Sequence, residues 1–247
     1  MIADIGTMIV KEWKEIFMQR SSARTGIFNL VIILGLLGVF MPLQVGRDWL
    51  RDAAAPLVWS WMPIFLALSI VTDAFAGERE RHTLETLLAS RLSDRAILFG
   101  KIGAAVLYAW GIAVAGLLIG AVTVNVVHAG EGFEFYAPSF FIASVALSFL
   151  AALLISSIGV MVSLRAATAR QAYQQMAMVM LGLFLIPMLL PRILPLETLA
   201  ALLSGFASIN WMQVIIGVAA GLVVLDAVVL LLAMARFQRS RLMESID

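Results

Sequence analysis

The stretch that decides the fold is AGERERHTLETLLASRLSDRAILFGK, residues 76–101, which lies between two long apolar segments. It holds nine of the chain's 33 charged residues, so charge is concentrated in about a tenth of the sequence. The chain is 62% hydrophobic and 13% charged, with a mean hydropathy of +0.99. Soluble domains are about half apolar and a quarter charged. The composition therefore predicts an integral membrane protein in which residues 76–101 meet the aqueous phase.

Six apolar segments are each long enough to cross a bilayer as a helix, which takes about 20 residues. They are continuously apolar, whereas the strands of a membrane barrel alternate in polarity. The predicted fold is an all-α membrane protein, with residues 1–247 forming a single transmembrane domain. The predicted spans are residues 26–45, 56–75, 102–127, 138–164, 174–194 and 212–235. Glycines four residues apart predict close helix packing at Gly116 and Gly120 and at Gly217 and Gly221.

Lysine and arginine are distributed unevenly between the loops that these spans define. Fourteen of the 17 lie in the N-terminal segment, in residues 76–101, in the loop after the fourth span and at the C-terminus. Arg47, Arg51 and Arg192 lie on the opposite side. Loops rich in lysine and arginine stay in the cytoplasm. Both termini are therefore predicted to be cytoplasmic, and the protein is predicted to lie in the cytoplasmic or inner membrane.

Residue content excludes several kinds of site. The net charge is only +1, and the basic residues are scattered over several loops, so nucleic acid is not favoured as a partner. The chain has no cysteine, and His82 and His128 fall on opposite sides of the predicted membrane, so no cysteine or two-histidine metal site is expected. Gly100-Lys101 is followed by Ile102 and lacks the upstream glycine of a phosphate-binding loop. Nucleotide binding by that route is therefore not expected.

Residues 4–18 precede the first span and show the pattern of an amphipathic helix. The apolar residues recur at helical spacing: Ile5, Ile9, Trp13, Ile16 and Phe17. The charged residues fall largely on the rest of the helical wheel: Lys11, Glu12, Lys14 and Glu15. The pattern predicts a helix lying in the cytoplasmic membrane interface, among the membrane lipids. The alternative is a short cytosolic helix packed against a partner protein.

Within residues 76–101, four leucines follow the spacing i, i+3, i+4 and i+8, which makes one apolar stripe on a short helix. They are Leu84, Leu87, Leu88 and Leu92. On the same helix, Glu78 is placed to reach His82, and Arg81 to reach Glu85, at i+4. Ser93 is placed to cap a second helix, which carries Lys101 into the third span.

The residues of this loop resemble the first cytoplasmic loop of type-2 ABC exporter permeases. Three pieces carry the resemblance: ERERHTLETLL at residues 78–88, Leu92-Ser93, and Gly100-Lys101. The family pattern is close to E-R-E-x-G-T-L-E-x-L-L, then P-hydrophobic-S, then G-K at the start of the next helix. His82 stands where the family usually has glycine, and Arg91 stands where proline is common. The six spans, the N-terminal helix and the cytoplasmic termini are also similar to that family in layout.

This resemblance implies the permease subunit of an ATP-driven exporter, which forms its pathway as a homodimer or heterodimer. The chain itself would be no enzyme and would hold no cofactor, because ATP and Mg²⁺ would bind to a separate ABC-type ATPase subunit. The loop would form a coupling helix that docks in a groove on the ATPase, with the leucine stripe facing it. The residues assigned to this contact are Glu78, Glu80, Arg81, Thr83, Leu84, Glu85, Leu87 and Leu88. The alternative is a solvated loop whose charges only anchor the topology.

The spans also contain candidate pathway residues. Asp226 lies about 14 residues, or roughly 21 Å, into the sixth span, where a carboxylate is costly unless it is paired, hydrated or protonated. It either lines or gates a pathway, or it is a structural residue that faces another helix. The other pathway or gate candidates are Asn29, Pro187, Pro191 and Asn210. In the resembled family, short re-entrant helices between the last two spans form the outer gate, which implies this role for residues 194–211.

Two further functions remain open on the sequence. An ion- or proton-coupled secondary transporter would use Asp226, although no inverted repeat is visible. A membrane anchor would recruit an ATPase without transporting anything. Gradient-driven flux without ATP would distinguish the first, and complex formation without substrate-stimulated ATP hydrolysis would distinguish the second.

Overall fold

The computed structural model describes residues 1–18, 23–52, 59, 61–195, 198 and 210–237. These residues form helices joined by turns, and no strand occurs among them, which confirms the all-helical class. The elements in chain order are α1 (Ile2–Met18), α2 (Ala23–Gly35), a π-helical turn (Leu36–Phe40), α3 (Met41–Val45), α4 (Asp48–Arg51), α5 (Met62–Val71), α6 (Ala76–Glu80), α7 (Leu84–Leu88), α8 (Asp94–Val127), a 3-10 turn (Ala129–Glu131), α9 (Pro138–Ser163), α10 (Ala169–Ile193) and α11 (Trp211–Arg236).

Three helices of the described chain are long and apolar enough to cross a membrane, judged by length and composition: α8, α9 and α11. α8 has 34 residues, so it is about 51 Å long and exceeds a hydrocarbon core of roughly 30 Å. It begins after Ser93, whose hydroxyl oxygen accepts a hydrogen bond from the Ala96 amide at 3.2 Å. The predicted cap at Ser93 is therefore confirmed.

The other predicted spans coincide with helical structure of more varied form. Residues 26–45 fall in α2, the π-helical turn and α3, and nearly all of residues 174–194 fall in α10. Of the predicted span 56–75, α5 covers Met62–Val71. Residues 53–58 and 60 lie outside the described part of the chain.

The first apolar segment contains a π-helical turn just before Pro42. Proline has no N–H, so it cannot donate a hydrogen bond to the carbonyl four residues earlier, which is that of Gly38. The hydroxyl of Thr123 on α8 donates to this oxygen at 2.8 Å. A neighbouring helix thus satisfies the carbonyl that the proline leaves unpaired, as backbone in an apolar environment requires.

α8 is the centre of the bundle, since α1, α5, α9 and the π-helical turn all pack against it. α9 packs in addition against α5, α10 and α11. A Cβ on Gly116 would lie 3.4 Å from the indole ring of Trp59, and a Cβ on Gly120 would lie 2.9 Å from that of Trp49. Close packing at these two glycines is therefore confirmed. For Gly217 and Gly221 it stays a prediction, since no described atom of this chain lies within 4 Å of a Cβ on either.

Ion pairs join two loops at the C-terminal end of α8. The Arg47 guanidinium lies 3.2 Å from Glu131 and 3.3 Å from Glu134. Arg51 donates two hydrogen bonds to the Glu134 carboxylate, at 2.6 and 2.9 Å. The Asn125 side chain bonds the backbone of Glu134 at 2.6 and 2.7 Å. We call these five residues the exposed cluster.

Candidate functional site

The charged loop, residues 76–101, is preceded by a turn over residues 72–75 that follows α5. Ser163, the last residue of α9, holds this turn in place. The Ser163 hydroxyl oxygen accepts hydrogen bonds from the amides of Phe75 and Ala76, at 3.1 and 3.0 Å. The same hydroxyl donates to the Thr72 carbonyl at 3.0 Å. Ser163 is fully buried, so one side chain satisfies three backbone groups in the break between α5 and α6.

Two side chains of α6 tie the loop to the turn between α9 and α10. The Arg79 guanidinium donates to the Leu164 carbonyl at 3.1 Å and to the Ala166 carbonyl. The Glu80 carboxylate accepts from the Ala169 amide, the first of α10, at 3.2 Å. A negative charge is favourable at a helix N-terminus. α6 is therefore fixed to the ends of two neighbouring helices.

The chain reverses between α6 and α7 at His82, which has a positive φ of 55°. This left-handed conformation costs roughly 1–2 kcal/mol for a residue with a Cβ, whereas glycine adopts it freely. The reversal gives a physical reason for the glycine that is usual here in the resembled family. It also ends α6 too early for the predicted pairs Glu78 with His82 and Arg81 with Glu85, which do not form. Arg81 binds Asp73 at 3.1 Å instead.

Four charged side chains from three helices meet behind the loop. Nζ of Lys101, on α8, lies 2.9 Å from Oε1 of Glu12 and 3.0 Å from Oε1 of Glu78. Nζ of Lys11, on α1, lies 2.6 Å from Oε1 of Glu78 and 3.3 Å from Oε1 of Glu12. Lys101 also donates to the Ala74 carbonyl at 2.6 Å. We call Lys11, Glu12, Glu78 and Lys101 the buried cluster, because the side chains of Lys101 and Glu78 are 1% and 3% exposed.

The buried cluster pairs two positive with two negative charges. Burial lowers the pKa of Lys11, but the attraction of Glu12 and Glu78 outweighs it and holds that pKa above its usual value. Burial raises the pKa of Glu12, but the attraction of Lys101 and Lys11 outweighs it and holds that pKa below its usual value. Both shifts favour the charged forms. Charges are tolerated inside a protein when their partners compensate them in this way.

The predicted N-terminal helix over residues 4–18 is present as α1. The side of this helix that is buried differs from the prediction, because it includes Glu12. α1 buries Met8 and Glu12, one turn apart, and packs against α8. Gly100 permits this approach, since a Cβ there would lie 2.4 Å from the Cβ of Met8. A helical wheel of α1 puts Glu12 outside the buried face, because the wheel does not include its partner Lys101, which is 89 residues away in the chain. The signal that could have found it is a lysine at the start of an otherwise apolar span.

The leucine stripe of α7 faces the inside of the protein. Leu84, Leu87 and Leu88 are 1%, 8% and 1% exposed. They belong to the same apolar core as Ile97 of α8 and Met176 of α10. The prediction that the stripe faces a partner is therefore wrong, because the chain's own core covers it. Amphipathic spacing shows that one side of a helix is covered, but not what covers it.

The exposed side of the loop is polar and charged. Apart from Ala89, its exposed residues are Glu80, Arg81, His82, Thr83, Glu85, Thr86, Arg91, Ser93 and Arg95. The eight residues assigned to the partner contact therefore divide into two groups. Four of them are exposed, namely Glu80, Arg81, Thr83 and Glu85, and the other four are buried, namely Glu78 and the three leucines of α7.

Three carboxylates lie close enough together to hold a cation, those of Glu12, Glu15 and Glu78. The ammonium groups of Lys11 and Lys101 already contact their oxygens, at 2.6 to 3.0 Å for the pairs Lys11–Glu78, Lys101–Glu12 and Lys11–Glu15. The arrangement is thus an ion-pair network in which the chain supplies its own cations.

Two of the predicted pathway residues, Asp226 and Asn210, have side chains that the structure describes. Asp226 is 3% exposed on α11, and neither carboxylate oxygen has a hydrogen-bond partner in the described part of the chain. α11 packs on α9, where the hydroxyls of Ser156 and Ser157 are also buried without a described partner. Asn210 caps α11, since its Oδ1 accepts from the Met212 amide at 3.1 Å. The side chains of Asn29, Pro187 and Pro191, and most of residues 194–211, lie outside the described residues.

A family model described as ABC-2 family transporter protein matches residues 54–242, which is more than half of the chain. The matched region contains the charged loop and the helices from α5 to α11. It confirms the resemblance that the loop residues indicated. No curated protein and no solved structure matches the chain.

Proposed function

Because the chain belongs to the ABC-2 family of transporter proteins, we propose that it is the permease subunit of an ATP-driven exporter whose ATPase is a separate polypeptide. ATP and Mg²⁺ bind on that partner, and two permease subunits, identical or different, form the pathway. Six spans with both termini in the cytoplasm put the charged loop on the side where the ATPase acts. The loop is then the contact through which nucleotide-driven motion reaches the membrane.

The observation that supports this proposal best is the way the loop is attached to the bundle. The buried cluster joins α6 to α1 and α8, while Arg79, Glu80 and Ser163 join the loop to α9 and α10. Packed interiors transmit displacement because they resist deformation. A push on the loop therefore moves four helices together. A loop that only anchored the topology would need none of these buried links.

The assigned residues divide their work according to exposure. Glu80, Arg81, Thr83 and Glu85 lie on the side that meets the ATPase. Glu78 and the leucines of α7 hold that side to the bundle from behind. His82 forms the bend that presents α7 at an angle to α6.

The pathway assignment rests on α11. Only 11% of its most apolar stretch is buried in the described part of the chain, which leaves the rest open to lipid or to a second permease subunit. Asp226 is buried on this helix, and an uncompensated carboxylate in a span is expensive to keep. We assign Asp226 to the pathway or its gate, together with Asn29, Pro187, Pro191 and Asn210. Residues 194–211 form the outer gate in this proposal.

The test begins with the full chain purified from its native membrane and with the ATPase that co-purifies with it. Thr86 is exposed on α7, and we expect Thr86→Trp to lower both ATPase retention and ATP-driven transport by steric hindrance. Ala129→Trp is the matched control, because Ala129 is exposed at the other end of α8. Wild-type complexes without an ATPase, or full coupling in Thr86→Trp, contradict the proposal. Gradient-driven flux that Asp226→Asn abolishes would instead establish an ion-coupled transporter.

A further inference from the structure

Four arginines are exposed at the loop end of the bundle without a partner in the described part of the chain. Arg91 and Arg95 follow α7, and Arg165 and Arg170 flank the turn between α9 and α10. None of the four has a hydrogen bond or an ion pair with a described residue. We call these four residues the arginine surface.

α6 holds the two halves of the arginine surface at the same end of the protein. The guanidinium of Arg79 and the carboxylate of Glu80 bond the backbone of Leu164 and Ala169, at 3.1 and 3.2 Å. The turn that carries one pair of arginines therefore lies directly against the loop that carries the other pair. The four arginines therefore lie at the same end of the bundle, on two segments that these hydrogen bonds hold together.

The acidic residues near this face are largely bound within the chain. Those with internal partners are Glu12, Glu78, Asp73, Glu80 and Asp94. Glu85 is the exposed acid on the outward side of α7. Even when Glu80, Glu85 and Asp94 are all counted against them, the four arginines leave the described residues of this region with a surplus of positive charge, which attracts acidic partners and repels basic ones.

We propose that the ATPase surface that receives this loop is acidic and that the arginine surface binds it. This inference rests on the proposed function and adds the chemistry of the partner. Because the leucines of α7 face inward, apolar burial does not supply the attraction, and charge is what the exposed side offers. Complementary charge speeds association and fixes orientation. It also weakens with salt, since the screening length is about 10 Å at 0.1 M.

The experiment measures the Kd of the ATPase that co-purifies with the wild-type chain. The ATPase is stripped off and added back to the full chain in nanodiscs of zwitterionic lipid. In the double variants Arg91→Glu/Arg95→Glu and Arg165→Glu/Arg170→Glu, we expect the Kd to rise about tenfold or more. Wild-type binding should weaken steadily as salt is raised, and the double variants should lose most of that dependence.

Two single variants separate charge from general damage to the contact. Glu85→Arg replaces the negative charge of Glu85 on the same face by a positive one, so we expect it to lower the Kd of the ATPase. Arg192→Glu is the matched control, because Arg192 is an exposed arginine at the C-terminal end of α10, and we expect no change. If a double glutamate variant does not fold, Arg91→Gln/Arg95→Gln removes the charge without reversing it and should still raise the Kd.

The outcomes distinguish this inference from the function on which it rests. An unchanged Kd in the charge-reversed variants, or a higher Kd in Glu85→Arg, overturns the acidic surface and leaves the ATPase partnership intact. A loss that occurs only in nanodiscs containing anionic lipid also overturns it, and shows that the arginines bind headgroups. A wild-type chain that retains no ATPase overturns the inference and the proposed function together.

Discussion

The two ends of α8 carry ion-pair clusters of similar size that differ in how deeply their central residues are buried. The buried cluster centres on Lys101, whose side chain is 1% exposed, and the exposed cluster on Glu134, whose side chain is 24% exposed. Exposed pairs are screened by water and salt and contribute little to stability. Removing one member of a buried pair leaves a charge without compensation inside the protein. The same side-chain chemistry is therefore optional at one end of the helix and obligatory at the other.

The two clusters also differ in what they join. The exposed cluster connects two loops through residues up to 87 positions apart, whereas the buried cluster connects the three helices α1, α6 and α8 through residues up to 89 positions apart. Burying the charges costs solvation that the pairing regains only in part. We infer that the gain lies in selectivity, because separating these three helices would leave buried charges without their partners. This distinction leads to four experiments, of decreasing expected effect.

Removing Lys101 should have the largest effect. In Lys101→Met, the carboxylates of Glu12 and Glu78 keep their buried positions and lose a cation, so we expect the free energy of unfolding to fall by about 3–5 kcal/mol. Denaturation of the purified chain in detergent measures this fall. Lys14→Met is the matched control, since Lys14 is exposed on α1, the helix that carries Lys11 and Glu12 of the buried cluster, and it should leave stability unchanged. Equal losses in the two variants would mean that Lys101 acts only as a surface charge.

A methyl group at Gly100 should test the packing that keeps the cluster buried. A Cβ there would lie 2.4 Å from the Cβ of Met8, so α1 must move away in Gly100→Ala, at a cost of about 1–3 kcal/mol. Gly111→Ala on the same helix meets nothing within 4 Å and should stabilise by up to about 1 kcal/mol through helix propensity. Thermal unfolding of both variants gives the comparison. A stable Gly100→Ala protein would show that α1 is not held tightly to α8.

Acid should weaken the buried cluster in a defined direction. Because folding lowers the pKa of Glu12, Glu12 contributes stability above its ordinary pKa of about 4.3, and this stability is lost as pH falls through the lowered value. For Lys11, whose pKa is raised, the contribution is complete below about pH 10.4 and is lost as pH rises through the raised value. Between pH 7 and 3, the wild-type melting temperature should fall more steeply than that of Glu12→Gln. Parallel curves would contradict this link.

Glu134 should show the smallest effect and the strongest dependence on salt. Hydrogen bonds from Arg51 hold the pKa of Glu134 below its usual range, so the carboxylate is charged at neutral pH. Glu134→Gln should lower the melting temperature slightly at low salt, and the difference should vanish at high salt because exposed pairs are screened. The effect of Lys101→Met should persist at the same high salt. A loss in Glu134→Gln that salt does not reduce would remove the distinction between the two ends.

The fold class followed from the sequence because it depends on composition and period. Long apolar runs have few ways to satisfy their backbone in a membrane, so helices were predicted without reference to any contact. Ser93 was predicted as a cap for the same kind of reason, since capping is a local interaction within one turn. The resemblance of the loop to a known family also depended on consecutive residues, and the family match confirms it.

The candidate site was less predictable because it depends on contacts between distant segments. The spacing of Leu84, Leu87 and Leu88 indicated one apolar side, but the choice between partner and core depended on how α7 folds back over α8 and α10. Glu12 was misplaced because a helical wheel treats a charge as exposed, while Lys101 makes its burial possible. The predicted i, i+4 pairs assumed one continuous helix, and the bend at His82 divides it.

Ser163 has a consequence for how related chains can vary. Its single oxygen serves as acceptor twice and donor once, which uses the full bonding capacity of a hydroxyl without any help from water. Alanine would leave the amides of Phe75 and Ala76 without this acceptor, and the extra methyl of threonine would have to fit at a position with no exposed surface. Hydropathy plots treat such a serine as the unremarkable last letter of an apolar stretch. In aligned relatives of this protein, substitutions at this position should therefore be accompanied by a rebuilt turn after α5.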